Sequence, residues 1–186
     1  ASQIIARIFD AGFYLRQNTE VPEGADPLAH YLESGEALGY KPCQLFDPAW
    51  YRRTYDVPAT ESGYLHHYVS SGERLGYSPS PRFDPVWYAQ ESGLDLNVEC
   101  ALAHYMQADP LVRAAHAYFS ALEYTTRFPD IRNANVDPYE HYINWGIFEN
   151  RRASENFDAN FVWQRYLNKD RTKNPLLLFL EFGHHF

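Results

Sequence analysis

Phe46-Asp47-Pro48-Ala49-Trp50-Tyr51 is one copy of a string that returns along the chain at a nearly constant interval. FDAGFY begins at Phe9, FDPVWY at Phe83 and FDANFV at Phe157, and a degenerate copy, FSALEY, begins at Phe119; successive starts lie 37, 37, 36 and 38 residues apart. A second string follows each copy: DPLAHYLESG at 26–35, GYLHHYVSSG at 63–72, CALAHYMQAD at 100–109, DPYEHYINWG at 137–146 and NPLLLFLEFG at 174–183. Within it His30, His67, His104 and His141 fall 37 residues apart each time. A third string, GEALGYKP at 35–42 and GERLGYSP at 72–79, closes the first two units. Self-similarity at one period is the signature of a repeat architecture.

Each copy of the first string reads as the start of a helix. Asp47 is a good N-cap, because its carboxylate can accept from the open N–H groups of the first turn. Pro48 then takes the first helical position, where its missing N–H costs nothing. Phe46 before the cap and Tyr51 at the fourth helical position form a hydrophobic staple. Asp10, Asp84 and Asp158 repeat the cap, with Phe9/Tyr14, Phe83/Tyr88 and Phe157/Val162 as staples. In the fourth unit Ser120 takes the cap and Glu123 completes a capping box. In the second string Asp26-Pro27, Asp137-Pro138 and Asn174-Pro175 repeat the cap-plus-proline device. Gly35, Gly72, Gly146 and Gly183 then stand where a left-handed residue would end a short helix.

No stretch alternates with period two, so no strand is expected. A hairpin of this size cannot bury its apolar face alone, whereas stacked hairpins can. The expected fold is all-α: a solenoid of about five helical-hairpin repeats, at about 9–45, 46–82, 83–118, 119–156 and 157–186, forming one helical-repeat domain. The third unit lacks the closing string, and the run from Leu111 to Phe128 contains neither Gly nor Pro. The first helix of the fourth unit is therefore expected to extend back to about Pro110, as drift of the repeat or as a kink that makes a groove near 105–125. The last unit stops at Phe186 without a polar cap and the chain starts at Ala1, so the array reads as cut from a longer chain.

Composition narrows the class. The 186 residues are 45% apolar and 22% charged, with a net charge of −8. That excludes wholesale disorder. It also argues against a nucleic-acid surface, which needs clustered Lys and Arg. The longest strongly apolar run is LLLFL at 176–180, too short to span a bilayer. Two cysteines, Cys43 and Cys100, make no disulfide framework and no metal motif; they read as free thiols of a cytoplasmic protein, a single bridge between them being the open alternative.

The four-fold histidine column is the most tempting site. Neighbouring hairpins stack about 8–10 Å apart, whereas ligands of one zinc ion sit about 2 Å from it, so one His per repeat cannot share an ion. His30, His67, His104 and His141 read as structural residues bonded to a backbone or carboxylate group. His66-His67 and His184-His185 are adjacent pairs and do not face one ion from a helix. Asp10, Asp47, Asp84 and Asp158 read as caps, not as catalytic carboxylates. Aromatics make up 17% of the chain. Trp50 and Trp87 share a slot with Phe13 and Phe161, which favours core over a sugar-stacking platform. The residues that vary between units, Arg52, Arg53, Tyr64, Trp145, Arg151 and Arg152, are the candidate binding surface, with Arg pairs suited to an acidic glycan or a partner carboxylate. No nucleophile elbow, zincin helix, phosphate loop or dinucleotide fingerprint occurs, and no cofactor, metal or catalytic residue is expected.

The strings resemble tandem repeats of the form F-D-x-x-W-Y-L-x-x-Y-P-D-V-x-x-A-G-x-D-P-L-x-H-Y-x-x-x-G-x-x-E-G-R-x-P. Such repeats occur in bacterial polysaccharide-biosynthesis proteins, beside glycosyltransferase or rhamnan-synthesis-type domains, with related copies in some secreted calcium-binding proteins. The fourth unit is most similar: Phe128-Pro129-Asp130-Ile131, then Val136-Asp137-Pro138-Tyr139-Glu140-His141-Tyr142, Gly146 and Glu149-Asn150-Arg151. The first two units have Gly-Tyr, at 39–40 and 76–77, where the pattern has Gly-Arg. The resemblance implies a non-catalytic interaction or scaffold module, partnered by or fused to a glycosyltransferase of surface-polysaccharide assembly. It would act in the bacterial cytoplasm, reaching the inner face of the membrane through its partners. A carbohydrate-binding module is the alternative. A piece of a glycosyltransferase whose catalytic domain lies elsewhere in the chain is the third reading.

Overall fold

A computed structural model describes residues 1–183, and every regular element among them is helical. The pair His184-His185 and the end of the last repeat lie outside the described residues. The chain divides into two compact units, Ala1–Gln107 and the residues from Ala108 onward.

The first unit holds α1 (Ser2–Ile8), α2 (Ala11–Gln17), α3 (Pro27–His30), α4 (Pro48–Tyr55), α5 (Tyr64–His67), α6 (Pro85–Ser92) and α7 (Ala101–Gln107). α2 packs on α3, α4 on α5 and α6 on α7. The first helix of each pair begins on an aspartate. Asp10 accepts from the Phe13 N–H at 2.9 Å, Asp47 from Trp50 at 2.9 Å and Asp84 from Trp87 at 3.0 Å. A cap of this kind contributes about 1 kcal/mol. The residue before each cap meets the fourth helical residue, with ring centroids 5.2 Å apart for Phe9–Tyr14, 5.6 Å for Phe46–Tyr51 and 5.5 Å for Phe83–Tyr88. The closing loop folds back onto the start of its own pair: the Asp10 N–H donates to the Pro42 carbonyl at 2.9 Å and that of Asp47 to Pro79 at 3.1 Å.

α1 departs from a strictly one-dimensional stack, in which each repeat touches only its neighbours. It packs on α7 and on α5, with Ile5 and Ile8 buried, and Gln107 donates to the Arg7 carbonyl at 3.2 Å. The three helix pairs of this unit thus curve enough for the segment before the first to reach the third.

The second unit holds α8 (Ala121–Arg127), α9 (Pro129–Asn133), α10 (Pro138–His141), α11 (Ala159–Tyr166) and α12 (Pro175–Phe182). α10 packs on α8 and α12 on α11. Ser120, Asp137, Asp158 and Asn174 cap four of these helices through the side chain. The expected extension of α8 back to Pro110 does not form. Residues 110–120 are turns with one isolated bridge, His116–Phe119, matching the bridge Ser80–Phe83 of the first unit. The physical reason is local competition for the backbone. Asp109 accepts from Leu111 N–H at 2.9 Å, the His116 ring accepts from Tyr118 N–H at 3.1 Å, and Ser120 sits extended at φ −123 as the cap of α8. α8 is an ordinary seven-residue helix, so the lengthened helix and its kink do not form.

The glycines of the second string also differ from expectation. Gly72 has φ −58 and Gly183 φ −57, and Gly35 and Gly146 are not at positive φ either. The left-handed residues come four positions later, at Gly39 (φ 83), Gly76 (φ 82) and Asn150 (φ 60). Gly35, Gly72 and Gly146 instead close widened π-helical turns, Tyr31–Gly35, Tyr68–Gly72 and Tyr142–Gly146. A Cβ at any of them would overlap the hydroxyl of Tyr14, Tyr51 or Tyr124. In the third pair the position is Asp109, and α7 ends as a plain α-helix.

The core is built from rings. Tyr14, Tyr51 and Tyr124 meet Tyr31, Tyr68 and Tyr142 edge-on at 5.8, 5.7 and 5.3 Å. Edge-on pairs add about 0.5–1.5 kcal/mol to the burial itself. This interior accounts for about half of the aromatic residues: among the described residues, 15 of the chain's 31 are buried.

Candidate functional site

The recurrent histidines are held by tyrosines. His30 Nδ1 shares a hydrogen bond with the Tyr14 hydroxyl at 2.8 Å, His67 with Tyr51 at 2.8 Å, His104 with Tyr88 at 2.7 Å and His141 with Tyr124 at 3.0 Å. The partner is a hydroxyl from the first helix of the same pair, not the backbone or carboxylate group expected. Among the described residues no group of three or more His, Cys, Asp or Glu is arranged to hold a metal ion. Cys43 and Cys100 are both buried, and no disulfide joins them. Burial, then the neighbouring Glu73 charge, pushes the Cys100 thiol up, which makes it a poor nucleophile because only the thiolate attacks.

Two glutamates perform a task the repeat pattern conceals. α5 begins at Gly63, which has no side chain to cap with, and α7 begins after Cys100. Glu36, from the pair before α5, accepts from the Tyr64 N–H and, at 3.3 Å, from Leu65. Glu73 accepts from Ala101 at 2.7 Å and Leu102 at 3.0 Å. Tyr31 donates to Glu36 at 3.0 Å and Tyr68 to Glu73 at 2.5 Å. Where the helix carries its own cap, Asp137 or Asn174, the equivalent position one pair earlier is Pro110 or Ile147. The cap is therefore supplied once, from within the pair or from the pair before it. Burial raises the Glu36 carboxyl, and the hydrogen bonds from Tyr64, Tyr31 and Leu65 work against it.

The same seam opens into a groove of about 540 Å³ between the first two helix pairs. Leu32, Ala37 and Leu38 line one wall, Pro48, Ala49 and Arg52 of α4 another, and the loop from Ala59 to Tyr64 the rest, with Glu33, Glu36 and Glu61 supplying carboxylates. Its volume lies in the range of small-ligand sites.

Of the candidate surface residues, Arg52 and Tyr64 both line this groove. Arg53 is exposed on α4 outside its lining. The other three lie in the second unit. Arg151 is drawn into ion pairs with Asp130 at 2.8 Å and Glu149 at 2.7 Å, its guanidinium 4.9 Å from the Phe128 ring centroid. Arg152 donates to the Ser154 carbonyl at 3.1 Å and pairs with Glu155 at 3.5 Å. Trp145 is 64% exposed. The slot shared by Phe13, Trp50, Trp87 and Phe161 is not uniformly core: Phe13 is buried, the two tryptophans are half-buried and Phe161 is exposed. Glu33, Glu36 and Glu61 were not singled out by sequence, although a glutamate following Gly35 and Gly72, before units lacking an Asp or Asn cap, is a readable signal for the two capping residues.

No helix among the described residues is long and apolar enough to cross a membrane. No family model matches the chain, and neither a curated protein nor a solved structure matches it.

Proposed function

We propose that the chain is a non-catalytic interaction module, a solenoid-like array of about five helical-hairpin repeats that scaffolds a bacterial glycosyltransferase of surface-polysaccharide assembly. One observation carries the non-catalytic part. The recurrent chemistry-bearing side chains are occupied by the fold, the aspartates on helix N-termini and the histidines on tyrosine hydroxyls. What is left over is surface that changes from one unit to the next, the kind of surface partners select. The link to glycan assembly rests on the resemblance of the repeat strings. The module would act in the cytoplasm, meeting the membrane through its partner. Incubation of the purified chain with nucleotide-sugar donors and oligosaccharide acceptors should yield no product, while the chain should retain a glycosyltransferase from a bacterial extract. Turnover by the chain alone overturns the reading.

A second reading, a carbohydrate-binding module, is favoured by Arg52 and Tyr64 sharing one groove. Calorimetric binding of an oligosaccharide that disappears in both Arg52→Ala and Tyr64→Ala would establish it. Unchanged affinity in both variants would remove it.

A further inference from the structure

We infer that the groove between the first two helix pairs receives a peptide segment of a protein partner, one that presents a Lys or Arg beside an apolar side chain. The inference rests on the interaction-module reading and names the class of partner.

The groove is apolar where it is open. Leu32 is 53% and Leu38 63% exposed, with Ala37 and Ala49 beside them. Large side chains left in water at one place mark contact surfaces. Its charge is unbalanced. The lining carries three carboxylates, Glu33, Glu36 and Glu61, against one guanidinium, Arg52. Glu36 is spent on the Tyr64 and Leu65 N–H groups and the Tyr31 hydroxyl. Glu33 and Glu61 are exposed, and neither forms an ion pair among the described residues. Two unengaged carboxylates beside aliphatic surface complement a side chain that is both cationic and long-stemmed, which describes Lys and Arg. An acidic glycan, by contrast, would meet like charge here.

The fold does not require these groups. At the equivalent positions of the next unit Glu33 becomes Ser70, Arg52 becomes Ala89, Glu61 becomes Val98 and Tyr64 becomes Ala101. Leu38 persists, as Leu75 at 65% exposure, and Glu36 persists as the capping Glu73. The charged rim therefore belongs to this one seam and is free to serve a partner.

The test pans a displayed random-peptide library on the intact chain, then titrates a fluorescent synthetic copy of the enriched peptide. Enrichment of Lys or Arg next to Leu, Ile or Phe is expected. Affinity should fall about tenfold or more in the double variant Glu33→Gln/Glu61→Gln and likewise in Leu32→Ser/Leu38→Ser, while Glu91→Gln, an exposed carboxylate outside the groove, has no effect. Raising NaCl from about 0.05 to about 0.5 M should weaken binding several-fold, since exposed charges are screened over a Debye length. All five substitutions are at exposed positions, so an unchanged helical circular-dichroism spectrum shows that loss of binding is not loss of fold. Three results overturn the inference: no enrichment of cationic-apolar peptides, an enriched peptide indifferent to both double variants, or occupation of the groove by a neutral oligosaccharide or a second copy of this chain instead. The second result leaves the interaction module standing with its contact elsewhere; only glycosyl transfer by the chain removes that module itself.

Discussion

Gly72 and Tyr51 show how one residue's chemistry is set by another's. The Tyr51 hydroxyl fills the space a Cβ on Gly72 would occupy and bonds His67 at 2.8 Å. Gly72→Ala should cost about 1–3 kcal/mol, the range for overpacking a tight site. In a Tyr51→Phe background the same substitution should cost less, because the colliding oxygen is gone. Urea unfolding of the four proteins in this cycle checks it, and strict additivity would contradict the proposed collision. His116 gives a pH signature at the same scale. It is 3% exposed, bonded to the Tyr139 hydroxyl at 2.7 Å, and burial lowers its pKa to about 3. The folded state thus binds this proton more weakly than the unfolded chain, whose histidine titrates near 6.5. The stability His116 contributes is present above that pH and is lost as pH falls toward about 3, at about 1.4 kcal/mol per unit. Thermal unfolding from pH 7 to 5 should show a slope that His116→Gln flattens. Glu36, raised by burial, has the opposite sign: it favours the fold at low pH and loses that contribution as pH rises above the ordinary glutamate value.

Helices as short as α5 and α7 do not persist on propensity. Their N-termini depend on Glu36 and Glu73 from the preceding pair, so one pair completes the backbone bonding of the next. Glu73→Ala should destabilise the chain by about 1–3 kcal/mol, the cost of leaving buried N–H donors unpaired. Cys100 occupies the position that is Asp26, Asp137 or Asn174 in other units. Cys100→Asp should therefore recover part of the loss in the Glu73→Ala background and cost stability in the parent, where two carboxylates would crowd one helix end. Chemical unfolding of the double variant separates this from a general intolerance of substitution. Where the cap is local, as at Asp137, no such dependence on the earlier pair is expected.

In the first compact unit the first helix in sequence packs on the last. α1 lies on α7, and Ile8 is fully buried. Ile8→Ala should cost about 2–5 kcal/mol, as for other buried large-to-small changes, and amide exchange in α7 should quicken together with that in α1. The ion pair Arg7–Glu99, 3.4 Å long and exposed on both sides, should matter little: Arg7→Gln is expected to change stability by less than about 1 kcal/mol. Loss of α7 protection on Arg7→Gln but not on Ile8→Ala would reverse this ranking of burial over charge.

The helical class was legible in the sequence because its signals are local: Asp before Pro, a ring before the cap, and its partner five residues on, repeated at one interval. A cap and a staple involve residues within one turn, and chain geometry alone brings them together. The glycines were misread for the same reason, since a glycine one turn past a helix looks like a left-handed stop, and only packing shows the Tyr51 hydroxyl that excludes a side chain there. The turns at 110–120 were likewise hidden, because the bonds from His116 and Arg113 to Tyr139 and Asp137 span 23 and 24 residues. The groove has no signature along the chain at all: Leu32, Arg52 and Glu61 are neighbours only once two helix pairs stack. Local hydrogen-bonding and stapling could be read from the order of residues; which side chains share a space, and which charges are left unanswered in it, was decided by tertiary packing.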